Sequence, residues 1–373
     1  MDCIRRDRIY CICCCLGRHG IKAAVVSRVI MGFLGDRDCD PTLIASGAKI
    51  GTTKIWDAIL VQCLHCFQEN LFGNDNALTV AMQNHLIVIG SQNGAIKIYN
   101  IATQQLQFKW CYTGHPSSGH TGPVLAVAIE GDMVVSGGKD ATIRVWSLTS
   151  GKLEHTRKVD GCVFSVAAYG PNLAAAHHGA FAWSFGSNRF FRARGNTNSC
   201  ICDCKKLQEV EAPSPSENVT ARIWDISDIR SWRERPLLFN GISGRVAMSH
   251  SVVAIGFGCA VHVLALPSLE LRCSLPHDVR AIAIWGVLVA TAGVDNMVKV
   301  WNAGTGQLLS AFGHGDGEQG YLNAVAIQGF TIVSADSHGI VKVWDGIYGQ
   351  LRHNVIHEQK HAAYGHVYTV AIA

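Results

Sequence analysis

The chain has 373 residues, 48% hydrophobic and only 16% charged, with a net charge of +4. That mild balance, with no run of Lys or Arg, argues against a nucleic-acid surface. The longest apolar stretches fall far below the ~20 residues that cross a bilayer, so no transmembrane segment is expected.

Residues 1–40 form a distinct opening. The run Ile9–Leu16 behind Arg5-Arg6 has the outline of a signal peptide, but it is short and no clear small-residue cleavage site follows. Cys11-Ile-Cys-Cys-Cys15 with His19 offers zinc-ligand residue types, yet without the two-residue separation of a zinc knuckle or a second pair. Palmitoylation is the other use such a run could have. The expectation is a poorly ordered leader, with no metal and no cofactor. The remaining cysteines include Cys63, Cys66, Cys111, Cys162, Cys259 and Cys273, which show no paired spacing and are expected to pack as small hydrophobes. A disulfide frame suits small, core-poor secreted domains, and this chain is neither.

From residue 41 onward one phrase repeats. It reads Leu78-Thr-Val-Ala-Met82, Leu125-Ala-Val-Ala-Ile129, Phe164-Ser-Val-Ala-Ala168, Arg280-Ala-Ile-Ala-Ile284, Asn323-Ala-Val-Ala-Ile327 and Tyr368-Thr-Val-Ala-Ile372. Tyr99, Trp146, Trp301 and Trp344 each follow the central Val or Ile of their copy by nineteen residues. A period of roughly 40 residues fixes the fold class before any local detail. In the copy from His120 to Gly161, short apolar runs alternate at period two between tight turns, giving four antiparallel strands. Such a sheet cannot bury both faces alone, so copies must stack around an axis.

The chain resembles the WD-repeat family over roughly residues 43–373. The Trp-Asp pairs are Trp56-Asp57, Trp224-Asp225 and Trp344-Asp345, and Gly-His elements stand at Gly119-His120, Gly313-His314 and Gly365-His366. Third-strand positions at Trp56, Tyr99, Trp146, Trp224, Leu264, Trp301 and Trp344 imply an all-β, seven-bladed WD-repeat propeller. Counting back from Trp56 lands on Arg37, inside Gly35-Asp-Arg-Asp-Cys-Asp-Pro41, which cannot be a strand. The first copy thus lacks its first strand while Tyr368–Ile372 stands as an orphan. Residues 367–372 are therefore expected to pair with Leu43-Ile-Ala-Ser46 and complete the N-terminal blade, removing the exposed edges. The alternative is a chain that stops one strand into an eighth repeat.

The gap of 78 residues between Trp146 and Trp224 implies an insertion over 179–217, in the turn between the second and third strands of the fourth blade. It carries Arg189-Phe-Phe-Arg192, three cysteines at Cys200, Cys202 and Cys204, and Pro213-Ser-Pro215. It is expected to be mobile, with Arg189, Phe190, Phe191 and Arg192 as its contact. Translated non-coding sequence is the alternative reading.

The resemblance implies a structural tetrad at His120, Ser136, Asp140 and Trp146, not a hydrolase triad. Thr291, Asp295 and Trp301 would keep three members, and His338 would replace the Asp near Ser334 and Trp344. Asn93 and Asn218 also replace it. The Leu264 copy keeps none and should be held by packing, as the softest blade. The resemblance also places Leu78, Leu125, Phe164, Arg280, Asn323 and Tyr368 at the mouth of the central channel, with the residue types of an interface hot spot. No catalytic constellation is visible. The leading expectation is a non-enzymatic, intracellular scaffold, cytoplasmic or nuclear, that binds proteins or peptides through that face, as a monomer or within a complex. The alternative is the substrate-receptor subunit of a ubiquitin ligase. No F-box-like helical stretch precedes the first blade, however, and no Trp-Asp pair is followed two residues later by the Arg linked to cullin-adaptor docking.

Overall fold

The computed structural model describes residues 43–48, 52–58, 60, 62–68, 76–115, 118–179, 191–193, 207–209, 218–226, 233–235, 240–241, 244–257, 259–314, 321–346, 349–356 and 366–373. The leader at 1–40 lies outside them, as does most of 179–217.

Local pattern explains each blade. In blade 3 the strands Val124–Glu130, Met133–Gly138, Thr142–Ser147 and Leu153–Lys158 are joined by tight turns and pair in simple order. The first turn begins at Gly131 with φ +56°, and Gly170, Gly286 and Gly329 hold the same place elsewhere at +53° to +57°. This left-handed conformation is cheap for glycine and lets a two-residue hairpin match the strand twist. Burial peaks in the middle of the sheet: the second and third strands are almost wholly buried, the innermost Val124–Glu130 only in part, and the outermost Leu153–Lys158 alternates between half-buried and exposed.

Seven such sheets are present, with blade 2 spanning Ala77–Trp110, blade 5 Arg245–Leu275, blade 6 Val279–Gly313 and blade 7 Leu322–Ile356. The innermost strands contact each other in sequence, and Val367–Ile372 contacts both Leu322–Gln328 and Ala77–Gln83, closing the ring. Closure has the expected form. Strand Val367–Ile372 pairs antiparallel with Leu43–Ala48, matching Ile44 with Ile372 and Ser46 with Val370. The outer strands Thr52–Asp57 and Cys63–Gln68 finish that blade.

The core is a set of seams between blades. Val88, Ile96 and Ile98 of blade 2 pack on Val124, Val127 and Trp146 of blade 3, and every neighbouring pair has an equivalent cluster. At three seams an outer-strand aromatic lies on the next blade's third-strand aromatic: Phe67 on Tyr99, Trp110 on Trp146 and Phe312 on Trp344, with centroids 4.5–4.6 Å apart. These contacts reward docking of one repeat on the next.

The six cysteines of the described residues depart from expectation. All are free thiols, three exposed and three half-buried. Cys63, Cys66 and Cys273 stand on outermost strands and the others in links between strands; of the six only Cys273 packs, half-buried, against a seam, the one between blades 5 and 6.

Candidate functional site

The tetrad of blade 3 is assembled and buried. Trp146 Nε1–H donates to Ser136 Oγ at 2.9 Å, which lies 2.8 Å from His120 Nε2. His120 Nδ1 meets Asp140 at 2.9 Å, and Thr121 N, Thr142 N and Thr142 Oγ1 also donate to that carboxylate. The relay is self-consistent for a neutral His carrying its proton on Nδ1. Burial holds His120 below the usual imidazole range despite the opposing carboxylate. The Asp140 carboxyl is brought down to about 2: burial raises it, but His120, Thr142 and Thr121 together outweigh that. With every polar atom engaged inside one blade, nothing here faces a substrate.

Two further blades are richer than the sequence suggests. His277 lies 2.7 Å from Thr291 Oγ1 and 3.0 Å from Asp295, and Trp301 donates to Thr291, so blade 6 has all four members. In blade 7 the carboxylate is Asp336, not a substitute at His338. Asp336 accepts from the His338 and Ile340 amides and stands 3.6 Å from His314 Nδ1, while Trp344 donates to Ser334. The carboxylate has moved from the turn to the end of the second strand. Asn93 caps its own turn through the Ala95 amide.

The rim residues do converge. Leu78, Leu125, Phe164, Arg280, Asn323 and Tyr368 line one central cavity of about 420 Å³. Each sits where the pairing of first and second strands, or of 367–372 with Leu43–Ala48, skips one residue. A β-bulge leaves that residue out of the ladder and re-aims its side chain. Six bulges in register thus turn six side chains toward the axis.

A seventh lining residue, Arg245 of blade 5, escapes the sequence reading. Counting nineteen back from Leu264 makes Arg245 the central position, whereas the register puts Val246 there, opposite Ile255. The hairpin Phe257–Ala260 is one residue shorter than its counterparts. The fragment Arg245-Val-Ala-Met248 still echoes the repeated phrase and could have been found by it. Arg245 Nε–H donates to Arg280 O at 2.6 Å and Nη1–H to Gly244 O at 3.0 Å. Burial, then the neighbouring Arg280 charge, holds its pKa below the usual guanidinium value.

Below the rim, hydroxyls bind one blade to the next. Thr369 Oγ1 accepts from Val80 N, Thr79 Oγ1 from Val127 N, and Ser165 Oγ both accepts from Val246 N and donates to Val246 O. Asn323 Nδ2 donates to Val367 O across the closure seam.

In blade 4, Val163 pairs with His177 and Gly179 pairs with Asn218, so residues 180–217 leave and re-enter the sheet at the end that carries Phe164. Arg189 and Phe190 lie outside the described residues. Phe191 and Arg192 belong to the short strand Phe191–Ala193, paired with Leu207–Glu209. Among the described residues no three His, Cys, Asp or Glu gather as a metal would require, and no helix is long and apolar enough to cross a membrane.

A family model described as "WD domain, G-beta repeat" matches residues 109–147. The small ribosomal subunit protein RACK1y of Oryza sativa subsp. japonica is 36% identical over 89 residues, 23% of this chain and 24% of that protein. NACHT domain- and WD repeat-containing protein 1 of Mus musculus is 33% identical over 87 residues, 23% of this chain and 5% of that protein. These matches span a quarter or less of the relatives' own length. Among solved structures, the computationally designed Ika8 protein aligns over 86% of both chains with a TM-score of 0.58 and 23% identity, a likeness of fold alone.

Proposed function

The chain is a WD-repeat β-propeller, and on that premise we propose that it is a non-enzymatic interaction scaffold whose channel mouth receives a segment of a partner protein. The family is typically non-catalytic, and the buried tetrads have no face from which to act on a substrate. The observation that carries the reading is the ring of six bulged residues turned toward one cavity. Bulges weaken a sheet locally, so a row of them in register is better explained by use than by packing. Tyr368, Phe164 and Arg280 bring hot-spot chemistry to the same concavity. The free thiols of the described residues suit a reducing, intracellular setting.

Affinity capture with the intact chain, followed by mass spectrometry, tests this against the double variant Phe164→Ala, Tyr368→Ala. The reading expects specific partners of the parent chain to be lost from the variant while its melting temperature stays within a few degrees. Identical partner lists would overturn it. Recovery of a cullin adaptor as a stoichiometric, rim-independent partner would move the protein to the ubiquitin-ligase class instead.

A further inference from the structure

The mouth is divided by chemistry. Blades 2, 3 and 4 contribute Leu78, Leu125 and Phe164, blades 5 and 6 contribute Arg245 and Arg280, and blades 7 and 1 contribute Asn323 and Tyr368. Not one carboxylate lines the cavity, and among the described residues neither arginine forms an ion pair. Among the described residues, two cations therefore share a concave, partly desolvated space that no carboxylate lines. Arg280 lies with its guanidinium 4.1 Å from the Tyr321 ring, which holds it over the cavity. Arg245 is fixed by two backbone carbonyls, leaving the other donors of its five-donor fork available. Ordering an arginine this way removes the entropy that binding an anion would otherwise cost.

We propose that the channel mouth is a receptor for one carboxylate side chain of a partner peptide, an Asp or Glu beside an apolar residue. The carboxylate would lie between Arg280 at the rim and Arg245 below it, and the neighbouring apolar side chain would cover the Leu78–Leu125–Phe164 arc. This rests on the scaffold reading above and names its partner by chemistry. A polyanion such as RNA does not fit, since two isolated cations cannot follow a backbone and no basic run extends from them. An anion between the two guanidinium groups would also offset the repulsion of Arg245 by Arg280.

The test uses the intact chain and peptide libraries with one fixed central residue, Glu, Gln, Lys or phosphoserine, and non-acidic neighbours at random. The Glu pool should be retained about tenfold over the Gln pool, because a site built to pair a charge penalises its neutral isostere. That preference should shrink as salt rises and be lost in Arg280→Gln, whose main chain still accepts from Arg245. Arg245→Lys keeps the charge but loses the fork, and should weaken retention without unfolding the ring. Equal retention of Glu and Gln pools, an unaltered preference in Arg280→Gln, or a phosphoserine pool held more than tenfold above Glu would each overturn the inference. The two readings fail differently. If a pool binds without Glu preference yet is lost in Phe164→Ala, Tyr368→Ala, the scaffold stands and the carboxylate receptor falls. If no pool binds in a rim-dependent way, both fall.

Discussion

Blade 3 and blade 5 solve one packing problem with opposite chemistry. In blade 3, Trp146 packs in the seam and its indole N–H starts a buried relay through Ser136 and His120 to Asp140. In blade 5, Leu264 stands in place of the Trp and Ile255 in place of the Ser, and both are fully buried. Trading both hydrogen-bonding partners for apolar groups is nearly neutral, whereas losing one partner is costly. Blade 5 made the full exchange, leaving no orphan. The tetrad is thus one way to fill the seam, and the propeller does not require it in every repeat.

The largest expected effect tests the apolar solution. Leu264→Ala would open a cavity among Val253, Ile255 and the neighbouring blade's Ala174 and Ile223, where no polar network can hold the backbone in place. A buried Leu→Ala costs about 2–5 kcal/mol, depending on how far the site collapses. Denaturant unfolding with an unchanged m-value would measure it, and a loss under 1 kcal/mol would mean that blade 5 is loosely packed.

Asp140→Ala comes next, at about 1–3 kcal/mol. It strips an acceptor from His120, Thr121 and Thr142 and removes the carboxylate that stands 3.6 Å from the buried Arg144. Asn93→Ala removes a neutral cap on the Ala95 amide, not a carboxylate shared by His120, Thr121 and Thr142, and should cost less. Equal losses in these two variants would contradict the special role given to the relay.

Acid should separate the blades further. His120, His277 and His314 all have pKa values lowered chiefly by burial, His314 to about 4. A base with a depressed folded pKa gives stability that is complete above its unfolded value near 6.5 and is lost as pH falls toward the folded value. Asp140, at about 2, adds a second loss only below pH ~4. Hydrogen-exchange protection factors, corrected for the intrinsic pH dependence of amide exchange, should therefore be lower at pH 5 than at pH 7.5 in Thr142–Ser147, Met297–Asn302 and Ile340–Asp345. Ile96–Asn100 of blade 2, none of whose four strands carries a His, should change least.

The architecture was legible because repetition carries it: the phrase around each central Val or Ile marks both the innermost strand and, two residues earlier, the bulge that turns a side chain to the channel. Closure by 367–372 followed from counting strands. What escaped did so where the count slipped or the signal was spatial. His277 sits behind Pro276 instead of a Gly, so no Gly-His element announces it. Asp336 performs its role from the strand, two residues before the position where an acid was sought. Arg245 was hidden by a hairpin one residue short. The pairing of Arg245 with Arg280 could not be read from sequence at all, since it depends on two blades meeting at the axis.

The smallest effect asks how blade 5 is held once its relay is gone. Along the inner ring, blade 3 receives one hydroxyl stitch, from Thr79 to Val127 N, and its own Ala126 gives none onward. Blade 5 receives two bonds from Ser165 to Val246 and passes one from Arg245 to Arg280 O. If these stitches take over positioning where the tetrad is absent, Ser165→Ala should cost more than Thr79→Val. Each bond contributes about 0.5–1.5 kcal/mol. The Thr79 loss should fall at the lower end, because Val keeps the shape and channel water can reach the freed Val127 amide. Thermal unfolding of the two variants side by side decides it. A Thr79→Val loss equal to or larger than that of Ser165→Ala would show that blade 5 is held by its apolar seam alone.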